Sequence, residues 1–206
     1  LVVIAPLLLI LLAHFLSPRM VENRVPTGFL SGESPYYMAN ARQYVDFNFD
    51  SLFYSNPFSD KIDSKRHYFQ FQTIFLGIAF KVTNISPGIL YALFGILFSF
   101  LYARAGTKLL NQLLFKNQGN TKNLLFFSVL LFWGAGLHAV IGSLITALSG
   151  NLDLSEILRN TDALEVSDGW WMHSIGRNFI MPNYIYYHFL VMKILHSILD
   201  KRKNHL

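Results

Sequence analysis

Long apolar stretches alternate with short polar ones along this chain. The two longest, residues 82–103 and 124–152, contain no Asp, Glu, Lys or Arg. A helix needs about 20 apolar residues to cross the hydrocarbon core of a bilayer, and both stretches supply them. The pattern therefore predicts membrane-spanning helices at about 83–104 and 124–148.

Two more apolar stretches stand near the ends of the chain. Residues 1–16 are almost entirely apolar and extend about 24 Å as a helix. A cleaved signal peptide is the alternative for this stretch, although no cleavage pattern is visible. Residues 182–199 begin at a proline and form the fourth predicted span. The predicted fold is all-α: a polytopic helical membrane protein with about four transmembrane helices in one membrane domain, 1–206.

The segment between the first two spans, 17–82, is predicted to carry interfacial helices. Ser34 and Pro35 mark a helix start, with serine as N-cap and proline at the first helical position. Tyr37, Ala41 and Val45 would then share one face. Residues 67–82 are apolar but too short to cross a bilayer, which favours an interfacial or re-entrant helix. The stretch from Asn84 to Gly88 separates this helix from the next.

Composition supports a membrane environment. The chain has 206 residues, of which 52% are hydrophobic and 14% charged, whereas soluble domains carry about a quarter charged residues. The chain begins without methionine inside an apolar run, so we expect a fragment of a longer protein.

Charge order predicts the orientation. The connection between the second and third spans has four cations and no acid. They are Arg104, Lys108, Lys116 and Lys122. The segment 149–181 is rich in acids. Cytoplasmic loops collect Lys and Arg, so the basic connection and both termini are expected in the cytoplasm, and the segments 17–82 and 149–181 outside. The predicted location is multi-pass, in the plasma membrane.

Several classes of function are excluded or disfavoured. The chain contains no cysteine, which excludes disulfides, cysteine-based zinc sites and a cysteine nucleophile. The cations sit at span ends rather than in a basic run with stacking aromatics, so nucleic acid is not a predicted partner. Membrane lipid is the predicted partner.

Candidate chemistry lies in the two outer segments. Glu33 directly precedes the predicted helix start, where a carboxylate would stay ionised and serve as a base or a metal ligand. Asp153 lies just beyond the third span, three residues before Glu156, and these acids could complete a carboxylate pair with Glu33 for general-base work or a divalent metal. Ordinary surface or capping acids remain the alternative for all three.

The second outer segment also holds Asp168, Trp170, Trp171 and Arg177. Paired tryptophans either anchor a protein at the membrane interface or offer flat faces to a sugar ring. The Arg177 guanidinium could hold a phosphate with two hydrogen bonds, neutralise nearby acids or contact lipid head groups.

At these residues the chain resembles the GT-C superfamily, the membrane glycosyltransferases that use polyprenyl-phosphate-linked sugars. Three passages carry the resemblance: Gly32–Arg42, His67 through the short helix up to Pro87, and Leu101–Lys122. The chain is also similar to an uncharacterised group of large polytopic proteins placed near these transferases. That similarity lies in Tyr68–Gln72, Gly150–Asp153 and Trp170–Pro182.

The resemblance implies transfer of a sugar from a lipid-linked donor to an acceptor on the outer face. Glu33 would deprotonate the acceptor hydroxyl, Asp153 would assist with metal or acceptor, and Arg177 would hold the leaving lipid phosphate. The cofactor is not identified by the residues, and a divalent cation, Mg²⁺ or Mn²⁺, is the candidate. Substrate contacts are assigned to Arg42, His67, Asp168, Trp170, Trp171, Arg177 and His188.

The chain also departs from this superfamily. The Asp-x-Asp or Asp-Glu pair common in the first outer loop is missing, because Ser34 follows Glu33. Members of the superfamily have more spans. A non-enzymatic membrane subunit or scaffold is therefore the alternative function, and a transporter is third. The transferase hypothesis requires that residues 67–82 do not cross the bilayer, since crossing would place the two outer segments on opposite sides.

Overall fold

The computed structural model describes residues 1–16, 26–30, 34–56, 65–133 and 181–203, with side chains up to residue 200 in the last range. Every regular element in these ranges is helical, and the prediction of an all-α fold is confirmed for them. A 3₁₀ turn, Val2–Ile4, precedes the first helix. The α-helices are α1 (Ala5–Leu16), α2 (Ser34–Asp46), α3 (Phe71–Thr83), α4 (Pro87–Phe115), α5 (Thr121–Trp133) and α6 (Pro182–Lys203).

The described residues fall into two compact units. The first unit contains the described parts of 5–102 and 180–191, which include α1, α2, α3 and the first part of α4. The second unit contains residues 1–4 and the described parts of 103–179 and 192–206, which include α5.

α2 begins at Ser34, one residue before Pro35, which the sequence predicts as its first helical residue. Pro35 lies in the first turn, where its missing N–H is not needed. The buried face of α2 is centred on Ala41, which is fully buried. Tyr37 and Val45, predicted on the same face, are half-buried. Met38 and Tyr44 complete this face, so the predicted face is correct within one residue.

α2 and α3 pack closely because small residues meet at their contact. A side chain on Gly77 would place its Cβ 2.7 Å from the backbone oxygen of Ala41, so only glycine permits this approach. The core of the unit forms beside this contact from Met38, Ala41, Leu76, Leu90 and Tyr91.

The break between α3 and α4 lies where local chemistry predicts it. Asn84 adopts a left-handed conformation with φ 51° and its N–H donates to the carbonyl of Phe80, which is the usual C-terminal cap of a helix. α4 then begins at Pro87.

α4 and α6 contact one another within the first unit and run in the same direction. Tyr91 donates a hydrogen bond to Asn183 at 3.2 Å, and farther along both helices the ring of Tyr102 stacks on His188 at 5.8 Å. Gly95 makes room for Pro182, the first residue of α6, since a Cβ there would lie 2.7 Å from the proline ring.

α4 differs from its prediction at its end, because it does not stop near Arg104 but continues to Phe115. In the second unit this extension packs on α5, where Gly106 faces the ring of Phe132 and Thr107 hydrogen bonds with Ser128 at 3.0 Å. These contacts stabilise the additional helical turns, most of whose residues are good helix formers.

The turn between α4 and α5 is short. Lys116 and Asn117 both have positive φ angles, and Asn120 caps α5 by accepting a hydrogen bond from the N–H of Asn123 at 2.8 Å. The basic connection predicted over 104–122 is therefore mostly helix followed by a tight turn.

α4 exposes apolar side chains while it buries polar ones together with apolar ones. One exposed row consists of Ile89, Leu93, Leu97 and Phe100, each 41–53% exposed. Its buried residues include polar ones, with Ser99 at 0% and Tyr102 at 3% exposure. Within the described ranges, α4 is the one helix that has both the length and the apolar composition to cross a membrane.

Candidate functional site

A polar loop folds back against α2 in the segment that the sequence predicts to face outward. The Gln43 side chain joins it at Ser55, donating to the Ser55 carbonyl at 3.2 Å and accepting from the Ser55 N–H at 3.0 Å. An antiparallel bridge between Tyr54 and Tyr68 then ties the two sides of the loop together, with N···O distances of 2.9 and 3.1 Å. These bonds give a segment without helix or sheet a defined shape.

Tyrosines form the inner wall of this loop. Tyr44 donates to the carbonyl of Leu52 at 2.9 Å, and burial raises its pKa above the ordinary value, against a hydrogen bond with Thr73 that lowers it. Burial also raises the pKa of Tyr54 to about 12, with a smaller contribution from neighbouring tyrosines, Tyr44 first. Both side chains therefore stay protonated and neutral at physiological pH.

Arg66 is the cation at the mouth of the loop. Its guanidinium lies 2.6 Å from a carboxylate oxygen of Asp50 and 4.0 Å from the centroid of the Phe47 ring. Arg66 is partly buried, with 28% of its side chain exposed, while Asp50 is 57% exposed. The surface is slightly concave here, with Gln43 and Phe53 also lining it, and the depression is too small to hold a water molecule.

The Arg66–Asp50 pair still has hydrogen-bonding capacity toward a ligand. A guanidinium offers five N–H donors and one carboxylate cannot use them all, while the exposed Asp50 oxygens can accept further hydrogen bonds. Donors, acceptors and aromatic rings side by side suit a ligand with hydroxyl groups and an apolar face. Sequence analysis missed Arg66 and Asp50, because the residues lie far apart in the chain and only the folded loop pairs them.

Three of the predicted substrate residues lie in the described ranges, each with a different partner. Arg42 is exposed and pairs with Asp46 on its own helix at 3.5 Å. His67 is exposed, and its ring lies 6.4 Å from that of Tyr68. His188 stacks on Tyr102 between α4 and α6. The described contacts do not bring these three residues together.

The other predicted site residues lie outside the described ranges. They are Glu33, Asp153, Asp168, Trp170, Trp171 and Arg177. The residue after Glu33, Ser34, is 2% exposed and is the first residue of α2. Their convergence on one outer cleft stays a prediction, as does the divalent cation. Within the described part of the chain, no three His, Asp or Glu side chains lie together as metal ligands.

A polar seam lies inside the first unit. The Tyr187 hydroxyl donates to the side-chain oxygen of Gln72, and Tyr91 bonds to Asn183. Three buried atoms of this seam have no hydrogen-bond partner among the described residues: Ser99 Oγ, Gln72 Nε2 and His188 Nδ1. Such groups are costly in an apolar interior, so the seam is where helix contacts are most specific.

The second unit has a separate polar cluster. The two carboxylate oxygens of Asp200 bind different partners, one accepting from Gln112 at 3.1 Å and the other lying 2.8 Å from Nδ1 of His196. The cluster ties α4 to α6, and an Asp four residues after a His is its only sequence signal.

No protein-family model, curated protein or solved structure matches this chain. Functional proposals therefore rest on the residues and their geometry.

Proposed function

We propose that this chain is an integral membrane protein crossed by α4, with residues 182–199 of α6 as a further span that rests on the sequence prediction. The observation that carries the proposal is the row of large apolar side chains exposed on α4, while polar Ser99 and Tyr102 of the same helix are buried. In water a row of exposed Leu, Ile and Phe is unfavourable by roughly 25 cal/mol per Å² of apolar surface. Against lipid chains this penalty vanishes, and polar side chains pair inside.

The dimensions of α4 fit this proposal. Its 29 residues extend about 44 Å, which exceeds the roughly 30 Å core of a bilayer. The excess falls at its carboxyl end, where Arg104 and Lys108 are exposed. Cations there favour a cytoplasmic location for the end of α4 and the turn after it.

The direction of α6 supports the proposed topology. If residues 83–104 and 182–199 are the second and fourth of four spans, both run from the outer face to the cytoplasm. The contacts of Tyr91 with Asn183 and of Tyr102 with His188 give α4 and α6 this common direction. Both termini then lie in the cytoplasm.

Within this frame we propose transfer of a sugar from a lipid-phosphate carrier to an acceptor at the outer face. The carrier is too apolar to leave the bilayer, so the reacting groups belong where the membrane meets water. Glu33 would act as the base, supported by its place before α2, whose positive end favours a carboxylate. Asp153 and Arg177 would serve the acceptor or metal and the leaving phosphate.

The Arg66–Asp50 pair and the rings of Phe47 and Phe53 lie in the segment predicted to face outward. The depression between them is too small to enclose a small molecule, so a sugar would contact these groups only at the surface, with its hydroxyls on the ion pair and its apolar face on the rings.

Glu33→Gln tests the catalytic proposal. The amide keeps the shape of the side chain and removes the base, so transfer from a polyprenyl-phosphate-linked hexose in isolated membranes should fall to background. The protein should stay in the membrane pellet after alkaline carbonate extraction. Glu22→Gln, another acid of the same segment, is the matched control and should keep normal transfer.

Normal transfer by Glu33→Gln would remove this residue from the mechanism. The alternative is a non-enzymatic membrane subunit, favoured by the polar contacts between α4 and α6, which hold helices together without chemistry. Release of the wild-type chain by carbonate would overturn the membrane proposal.

A further inference from the structure

The helix before the proposed span, α3, exposes a row of apolar side chains, although it also buries Leu76 in the core. Phe71, Phe75, Ile78 and Val82 form a continuous exposed row at spacings of four, three and four residues, and they are 46–78% exposed. We call this row the α3 stripe. The opposite face is buried and includes two polar side chains, Gln72 at 1% and Thr73 at 0% exposure.

We propose that the α3 stripe lies flat in the lipid–water boundary where α4 enters the membrane, with its side chains among the upper acyl chains. The proposal rests on the proposed crossing by α4. It adds a second lipid-binding element with a different orientation, one that runs along the surface rather than through it.

Chain continuity places α3 at this boundary. α3 ends at Thr83 and α4 begins at Pro87, so the link between these two residues reaches at most about 14 Å. The apolar residues of α4 start directly after the link. If α4 enters the membrane there, the end of α3 cannot be far from the head groups.

Length excludes a complete crossing by α3. Its 13 residues extend about 20 Å, well below the roughly 30 Å of the hydrocarbon core. A helix of this length with one apolar face is typical of an element in the plane of the interface.

Aromatic rings and a cation near the stripe suit the boundary between lipid and water. Phe53, Phe69 and Phe71 continue the stripe into the loop, with centroids 5.9 and 5.6 Å apart, and Phe53 and Phe69 are each more than 40% exposed. Lys81 is exposed in the last turn of α3, with Nζ 5.3 Å from the Phe49 ring. Phenylalanine is typical of the apolar face of a helix that lies in the membrane interface, and an ammonium at the head-group level meets lipid phosphates.

The test measures the depth of single nitroxide labels. The chain contains no cysteine, so one cysteine can be introduced at a time into the otherwise unchanged protein. Labels at 71, 75, 78 and 82 report on the stripe, labels at 93 and 100 report on α4, and Ala39 on the exposed face of α2 is the control. The protein is reconstituted in vesicles of phosphatidylcholine and phosphatidylglycerol. Collision rates with oxygen and with a water-soluble nickel chelate give each depth.

All four stripe labels should favour oxygen and lie at one depth, about 5–10 Å below the head-group boundary. The labels at 93 and 100 should differ in depth by about 10 Å, because α4 runs through the bilayer. The label at 39 should favour nickel. Unchanged circular dichroism and elution volume show that each labelled variant has folded.

Three results would overturn the proposal for α3. A depth that changes steadily by about 16 Å from 71 to 82 would mean that the helix penetrates or crosses. Stripe labels that favour nickel would mean that water covers them. Labels shielded from both reagents would mean that protein, such as a second copy of the chain, covers the stripe. Nickel-accessible labels at 93 and 100 would instead overturn the crossing by α4.

Discussion

α2 and α3 are neighbours of equal length that differ in what they show to their surroundings. Each has 13 residues, and each buries one face against the other. The exposed positions of α2 include Arg42 and Asp46, which pair with each other. The exposed positions of α3 include Phe75 and Ile78. The inner faces are alike in having small residues at the contact, so the difference lies outside.

This difference shows that burial alone does not identify the solvent of a helix. Both helices bury polar side chains beside apolar ones, Ser34 and Asn40 in α2 and Gln72 and Thr73 in α3. They differ on their outer faces, where α3 carries a row of large apolar side chains. The same rule of matching each face to its surroundings explains both helices if water covers α2 and lipid covers α3.

The largest effect is expected where the two helices share a contact. Gly77→Ala places a Cβ 2.7 Å from the backbone oxygen of Ala41, which cannot move without shifting α2. We expect a loss of about 1–3 kcal/mol in unfolding free energy, more than alanine gains as a better helix former. Denaturant unfolding in detergent, followed by circular dichroism, measures it.

Gly106→Ala is the matched control for this substitution. Its Cβ would also meet an atom at 2.7 Å, but that atom is the end of the Phe132 ring, a side chain that can tilt. The loss should be smaller. A Gly77→Ala variant as stable as the wild type would show that the close contact of α2 with α3 does not hold.

An intermediate effect is expected in the loop that joins α2 to α3. Burial raises the pKa of Tyr54 to about 12 from an ordinary 10.0, so the unfolded chain loses this proton first. The stability from this group is complete below pH 10 and is lost as pH rises toward 12. Tyr54→Phe cannot ionise and should show a shallower loss of stability over the same range.

Unfolding midpoints at pH 10 and pH 12 and the absorbance of tyrosinate measure this effect. Equal pH dependence in the wild type and in Tyr54→Phe would contradict a buried Tyr54. It would also mean that water enters the inner wall of the loop as freely as it covers the outer face of α2.

The smallest effect is expected on the outer face of α2. Arg42 and Asp46 are 67% and 54% exposed and pair four residues apart, so Arg42→Ala should cost less than about 0.5 kcal/mol in stability. If Arg42 contacts the substrate, as predicted, sugar transfer should fall without a change in unfolding. Lys65→Ala, another exposed cation of this unit, is the control. Unchanged transfer would limit Arg42 to the ion pair.

The candidate site was predictable only in part. The start of α2 beside Glu33 follows from Ser34 and Pro35, because capping and proline act over a few residues. The pair of Arg66 with Asp50 was not predictable, since it depends on a loop closed by Tyr54 and Tyr68. Pairing between residues distant in sequence needs the folded backbone.

The sequence by itself determined the class of fold and most helix boundaries. Apolar periodicity, the proline before Asn183 and the turn at Asn84 are local signals, and the helices begin and end where these signals lie. The tertiary structure alone decided three features: the extension of α4 past Arg104, the exposed apolar row of α3 and the common direction of α4 and α6. Each of these features depends on which surfaces of the folded chain pack together. The hydropathy of a segment does not specify which other segment it packs against.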